Sequence, residues 1–142
     1  MKKQSDPETI NLSKNLRKLV GLAAGNSMPS AVQRNSFIVN EVPDEFHIAT
    51  DEKALSEILN SLLSTIVGNS KHGCIRIKAR EYDDIIFVCV KDNSSFSDYL
   101  VNDHLDAVKI LAKKMNGSVT IENMENNSTH ILLSFPNFPK AA

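Results

Sequence analysis

Few residues in this chain are placed to do chemistry, and the most informative of them ends a strand. Ile85 to Asp92 reads as a β-strand in which Ile86, Val88, Val90 and Asp92 share one face. Three aliphatics predict a buried face. The fourth member is a carboxylate at the strand's carboxyl end, where the chain turns polar at Asn93, Ser94 and Ser95 before Phe96. A charge on a core-facing position is costly unless something pairs with it. Two readings are open: a carboxylate at the mouth of a pocket, accepting from a ligand, or a strand-ending Asp that bonds its own turn. Cys74 and Cys89 lack metal-ligand spacing and read as reduced packing residues.

The elements that must position Asp92 are legible from periodicity. Cys74 to Arg80 alternates Ile75, Ile77 and Ala79 with Arg76, Lys78 and Arg80. A turn at Asp83-Asp84 sets Ile77 opposite Val90, Ala79 opposite Val88 and Asp92 opposite Ile75, so both apolar sets share one face. That register puts the two cysteines four residues apart, about 13 Å at ~3.3 Å per residue, too far for a disulfide. Asp51 caps the clearest helix, with Leu55, Ile58, Leu59, Leu62, Leu63 and Ile66 as its apolar stripe and a stop near Gly68-Asn69. An earlier helix is predicted from Asp6-Pro7-Glu8 to a stop at Gly25-Asn26, with Leu12, Leu16, Leu19, Val20 and Ala23 at helical spacing. Met28 to Asn35 reads as a loop. Phe37 to Val42 and Phe46 to Ala49 read as two short strands joined by Pro43-Asp44-Glu45.

After a loop from Asn93 to Asp103, Leu105, Val108, Leu111, Ala112 and Met115 predict another helix, ended by Asn116-Gly117. Val119 and Ile121, a turn at Glu125-Asn126-Asn127, and Ile131, Leu133 and Phe135 give a final strand pair closed by Pro136. Helix and strand pair thus repeat three times. The expected fold is an α/β (α+β) two-layer sandwich: a mixed, mostly antiparallel sheet with three helices on one face. With 142 residues and no linker, one domain is expected over 1–142, its core about 10–136 and its tail 137–142.

Sixteen basic against seventeen acidic residues leave a net charge of −1, which argues against a nucleic-acid partner. No apolar run reaches the roughly 18 residues of a membrane span, and the polar start is no signal peptide. A cytoplasmic protein, or a soluble piece of a larger one, is expected, with no membrane contact by this domain.

From about Leu12 to Pro136 the chain resembles the ATP-binding domain shared by histidine kinases, gyrase, Hsp90 and MutL, the GHKL or Bergerat fold. Asp51 and the run Leu55-Ser-Glu-Ile-Leu-Asn-Ser-Leu-Leu63 resemble the family's D-x-x-x-L-x-Q-V-L-x-N-L-L-x-N-A helix. Val90-Lys91-Asp92-Asn93 resembles its V-x-D-N-G-x-G strand end. Leu105 to Gly117 resembles the helix closed by a glycine pair, and Ile131-Leu-Leu-Ser-Phe-Pro136 the terminal strand. The resemblance implies that Asp92 accepts from an adenine amino group. It places the family's two asparagines, the second a magnesium ligand, on Ser61 and Thr65. Thr65 is then the candidate metal ligand, through a hydroxyl of shorter reach than an amide carbonyl. Asn60 is expected about 130° from the stripe centre, towards solvent. The strand-end glycines fall on Ser94 and Phe96, and the phosphate-cradling glycines on Asn102 and His104. His104 thus sits where a phosphate would lie, at a helix end that disfavours its charge. His47, His72 and His130 receive no role.

The expected nucleotide pocket is therefore vestigial or weak, comprising Asp92, Asn93, Ser61, Thr65, Phe96 and His104, with no catalytic residue assigned. The function expected is that of a degenerate histidine-kinase-type module in two-component or related signalling. It would hold a dimerisation-helix domain, a receiver domain or a second copy of itself, without a cofactor. Two alternatives accompany it. One is a divergent sensor-kinase catalytic domain that uses Mg-ATP to phosphorylate a histidine. The other is a binder of a non-phosphorylated small ligand in the old pocket. Whether the chain is an enzyme stays open at this point.

Overall fold

The buried residues recur at helical spacing on the helices and at alternate positions on the strands. The structure is a computed structural model and describes residues 15–93, 105–123 and 128–138. Its elements in order are α1 (Leu16–Gln33), β1 (Phe37–Asn40), α2 (Glu52–Asn69), β2 (Cys74–Tyr82), β3 (Ile85–Asp92), α3 (Asp106–Lys114), β4 (Ser118–Asn123) and β5 (Thr129–Pro136). The five strands form one sheet ordered β1-β2-β3-β5-β4. Only β1 and β2 run parallel, joined by the α2 crossover; the other three pairings are antiparallel. The expected mixed, mostly antiparallel sheet with three helices on one side is the observed architecture.

The β2–β3 register matches the sequence reading residue for residue: Ile75 faces Asp92, Ile77 faces Val90 and Ala79 faces Val88. Beneath the helices lie Ile75, Ile77, Ile86, Val88, Val90, Ile131, Leu133 and Phe135, all essentially inaccessible to water. From the helical layer come Leu16, Val20, Leu55, Ile58, Leu59, Leu62, Leu63, Ile66 and Val108. Burying each such side chain contributes about 1.5–3 kcal/mol. Asp51 caps α2 as expected, accepting from the backbone N–H groups of Lys53 at 3.0 Å and Ala54 at 3.3 Å.

Three expectations fail. The first helix does not stop at Gly25-Asn26; α1 runs to Gln33, through Pro29. Continuing the helix buries Ser27 and Ala31 against its neighbours, which outweighs one missing N–H. The carbonyl that the Pro29 ring crowds, four residues back, belongs to Gly25, which is exposed and has open space around its Cα. The stretch Met28 to Asn35 is therefore mostly helix, ended by Asn35 at φ 56°. Its proposed start at Asp6-Pro7 lies outside the described residues, and the helix is capped by Asn15, whose side chain accepts from the Lys18 N–H.

The second correction is that Phe46 to Ala49 does not pair with β1. Its one ladder contact is an isolated bridge between His47 and Asn15. The Phe46 carbonyl accepts from the Leu16 N–H at 2.9 Å, and the Ala49 N–H donates to the Asn137 side chain at 2.7 Å. Pro43 has no N–H for a hairpin ladder, and burial of Val42 and Ile48 fixes the segment against the core instead. The third is Asn60, which does not face open solvent. It is half-buried and accepts from the Asn26 side chain at 2.9 Å, because the longer α1 covers that side of α2. The cysteines behave as expected: both are free thiols. The turn proposed at residues 125–127 lies outside the described residues. Among the described residues, no helix is long and apolar enough to cross a membrane.

Candidate functional site

The strand-ending carboxylate is buried. Asp92 is 1% exposed, between Ile75 of β2 and Thr129 of β5 in the sheet. A buried carboxylate is tolerable only with donors aimed at it, and α2 delivers one. Ser70, fully buried, follows the last residue of α2 and donates its hydroxyl to Asp92 Oδ1 at 3.2 Å. Ser70 Oγ also lies 3.0 Å from Ser36 Oγ, and Ser36 Oγ accepts from the Gly73 N–H at 3.1 Å. A hydroxyl has one proton. With Ser70's proton on Asp92, the single Ser36 proton is shared between two acceptors within reach, the Ser70 hydroxyl at 3.0 Å and the Arg34 carbonyl at 3.5 Å. Arg34 closes the cluster by donating Nε–H to the Ser70 carbonyl at 2.6 Å.

Asn93, the next residue, spends its side chain on the backbone. Its Oδ1 accepts from the Cys74 N–H at 2.7 Å, and its own N–H reaches the Cys74 carbonyl at 3.4 Å, which extends the β2–β3 ladder by one rung.

Ser61 and Thr65 lie one turn apart on α2, both half-buried on the flank of its apolar stripe. Thr65 donates its hydroxyl to the Ser61 carbonyl at 2.9 Å, back along its own helix. Asn69 likewise donates to the Thr65 carbonyl at 2.8 Å, and Asn60 to the Ser56 carbonyl at 3.0 Å. With its proton committed, Thr65 Oγ1 keeps lone pairs that could meet a cation, as one short ligand. No group of three or more His, Cys, Asp or Glu residues able to hold a metal occurs among the described residues.

The electrostatics of this corner favour donors over anions. The last turn of α2 carries no basic residue of its own, so its partial negative end and the Asp92 carboxylate act with the same sign, offset by the Arg34 guanidinium held on the Ser70 carbonyl. At the other expected end of the pocket, α3 follows Leu105, which offers no side-chain cap, and has Asp106 in its first turn. That acid already occupies the favourable field of the helix amino terminus. Phe96, His104, Ser94 and Asn102 lie outside the described residues.

The structure thus joins Asp92 to the carboxyl end of α2 through Ser70, with Ser36 and Arg34 beside it, three residues that sequence reasoning missed. All three sit in short connections, where small polar residues read as solvent-facing turns. The one available signal was Ser70 itself, directly after the helix stop and before the strand that pairs with Asp92.

No family model matches the chain, and no curated protein sequence matches it. Solved structures do. The nucleotide-free catalytic domain of the histidine kinase ThkA aligns with a TM-score of 0.72 at 16% identity, covering 89% of this chain and 96% of that one. The Acinetobacter baumannii histidine kinase AdeS aligns with a TM-score of 0.74 at 12% identity, over 87% of this chain and 65% of that one. Full-length ShkA in complex with AMPPNP aligns with a TM-score of 0.72 at 20% identity, over 90% of this chain and 31% of that one. ThkA in complex with the response regulator TrrA aligns over 87% of this chain and 40% of that one, with a TM-score of 0.67 at 17% identity. The chain therefore has the fold of histidine-kinase catalytic domains, the GHKL type. It spans nearly all of the isolated ThkA domain and about a third of full-length ShkA.

Proposed function

We propose that this chain is a histidine-kinase-type domain in signalling whose nucleotide pocket has lost its metal and triphosphate contacts, and which works by holding a protein partner. The observation that carries the reading is the state of the α2 flank. The positions expected to hold two amides are Ser61 and Thr65, and the Thr65 hydroxyl is turned back onto the Ser61 carbonyl. Phosphoryl transfer depends almost wholly on positioning and charge neutralisation. A single hydroxyl on the α2 flank, with an acid at the start of α3, provides little of either. The partners that suit this fold are a dimerisation-helix domain, a receiver domain or a second copy. The ThkA complex with a response regulator supports that class of partner by analogy of fold.

Isothermal titration of the full chain with Mg-ATP and with adenosine tests the reading. Neither ligand is expected to bind at micromolar concentration. Micromolar Mg-ATP binding that disappears in Asp92→Asn overturns the proposal in favour of a divergent kinase or ATPase domain. Adenosine binding with no gain from phosphates or magnesium instead favours a non-phosphorylated ligand held by Asp92.

A further inference from the structure

The helices cover one face of the sheet, and the other face has its own chemistry. Outward from β2 point Arg76, Lys78, Arg80 and Tyr82, and outward from β3 point Ile85, Phe87, Cys89 and Lys91. These eight positions include four cations and no acid, in a chain whose net charge is −1; the one acid that the register adds to this face is Glu122 of β4, in line with Lys91 and His130. Arg76 is matched by Glu41 at 2.8 Å. Among the described residues no salt bridge reaches Lys78, Arg80 or Lys91. The register makes the arrangement regular: Lys78 is opposite Cys89, Arg80 opposite Phe87, and Cys89 opposite Leu132 of β5. Phe87, Cys89 and Leu132 form an apolar floor, and Lys78, Arg80 and Tyr82, with Ala79 and one acid, Glu81, border it in a shallow groove of about 950 Å³.

A groove with a hydrophobic centre and unmatched cations on its rim has a defined complement. From β2 across β3 to β5 is two strand spacings, roughly 9.6 Å, close to the ~10–12 Å width of an α-helix. A second copy of this face is excluded as occupant, because it would set cation against cation. Single-stranded nucleic acid would match the charge but needs aromatic faces for stacking. This groove has only the half-buried Phe87 at its centre and Tyr82 at its end. We propose that the open face of the sheet docks an acidic amphipathic helix of a partner protein. Phe87, Cys89 and Leu132 receive its apolar stripe, and Lys78, Arg80 and Lys91 meet its flanking carboxylates. The site lies on the opposite face of the sheet from Asp92 and does not depend on whether nucleotide binds there.

The test is amide chemical-shift mapping on the ¹⁵N-labelled full chain. The probe is a synthetic amphipathic peptide of about 18 residues, with Leu on one face and Glu on its flanks. Saturable shifts at residues 78–80, 87–91 and 132 are expected, together with weaker binding at higher salt. Lys78→Glu with Arg80→Glu is expected to weaken binding by roughly tenfold or more. Lys78→Gln with Arg80→Gln weakens it in the same direction and guards against misfolding of the charge-reversed variant. Shifts absent from this face, equal binding of the same peptide with Lys in place of Glu, or tighter binding of oligodeoxythymidylate would each overturn the proposal.

Discussion

Ser70 is the residue on which the Asp92 corner turns, since one hydroxyl both supplies a donor to a buried carboxylate and lies 3.0 Å from the Ser36 hydroxyl. Ser70→Ala leaves Asp92 one donor short and removes the nearer of two acceptors within reach of the Ser36 hydroxyl. A loss of about 1–3 kcal/mol is expected in urea unfolding, the cost of an unsatisfied buried polar group. A loss below about 0.5 kcal/mol would show that water or another donor replaces the hydroxyl without penalty. Cys89 gives a prediction of a different kind. Burial pushes its thiol pKa above the ordinary value of 9.0, partly offset by Lys78, Lys91 and Arg80. A raised folded pKa means the native chain holds its proton longer than the unfolded chain. Stability from this group is therefore fully present below the ordinary thiol pKa and falls as pH rises through and above it. Cys89→Ser is expected to flatten that alkaline decline in a pH series of thermal melts. An unchanged slope would remove Cys89 as its source.

At the scale of elements, α1 is the informative case. Pro29 sits inside a helix that continues to Gln33, with one backbone bond missing and its ring next to the carbonyl of Gly25. Pro29→Ala restores the bond at an exposed position, and a gain of about 1–3 kcal/mol is expected after allowing for the freer unfolded chain. Loss of stability would mean that the proline ring itself is needed for α1 to lie on α2. The same helix explains why two sequence readings failed together. Gly25, Asn26 and Pro29 carry the local signals of a helix end, but Ser27 and Ala31 gain burial only once α2 is in place. Asn26 then finds Asn60 as a partner that no local window contains. In α2 and β3, by contrast, local propensity, apolar period and tertiary burial agree, and their bounds were readable within a residue or two.

For the whole molecule, the sheet separates two surfaces with different demands. Its helical side holds the core and the Asp92 corner; its open side holds an apolar floor with unmatched cations. A nucleotide at a hundred times its Kd would add about 2.7 kcal/mol, a rise in Tm of roughly 5–10 °C for a chain of this size. Millimolar Mg-ATP is expected to leave the melting temperature of the chain unchanged within a degree or so. A shift in the larger range would restore nucleotide binding as its function, independently of the titration calorimetry. Because the acidic-helix site lies on the other face, either result leaves that proposal to its own test.

What the sequence by itself determined was everything that rests on a short period: the α2 stripe, the β2–β3 register, and Asp92 on the core-facing side of its strand. Those follow from side-chain alternation and helical pitch, which act within a few residues. Only the tertiary structure decided where Asp92's donor comes from, how far α1 runs, and what Asn60 faces. Each of these depends on contacts between residues more than twenty positions apart, such as Ser70 with Asp92 and Asn26 with Asn60. No local pattern encodes a hydroxyl meeting a carboxylate across the end of a sheet; the packing of α2 against β3 does.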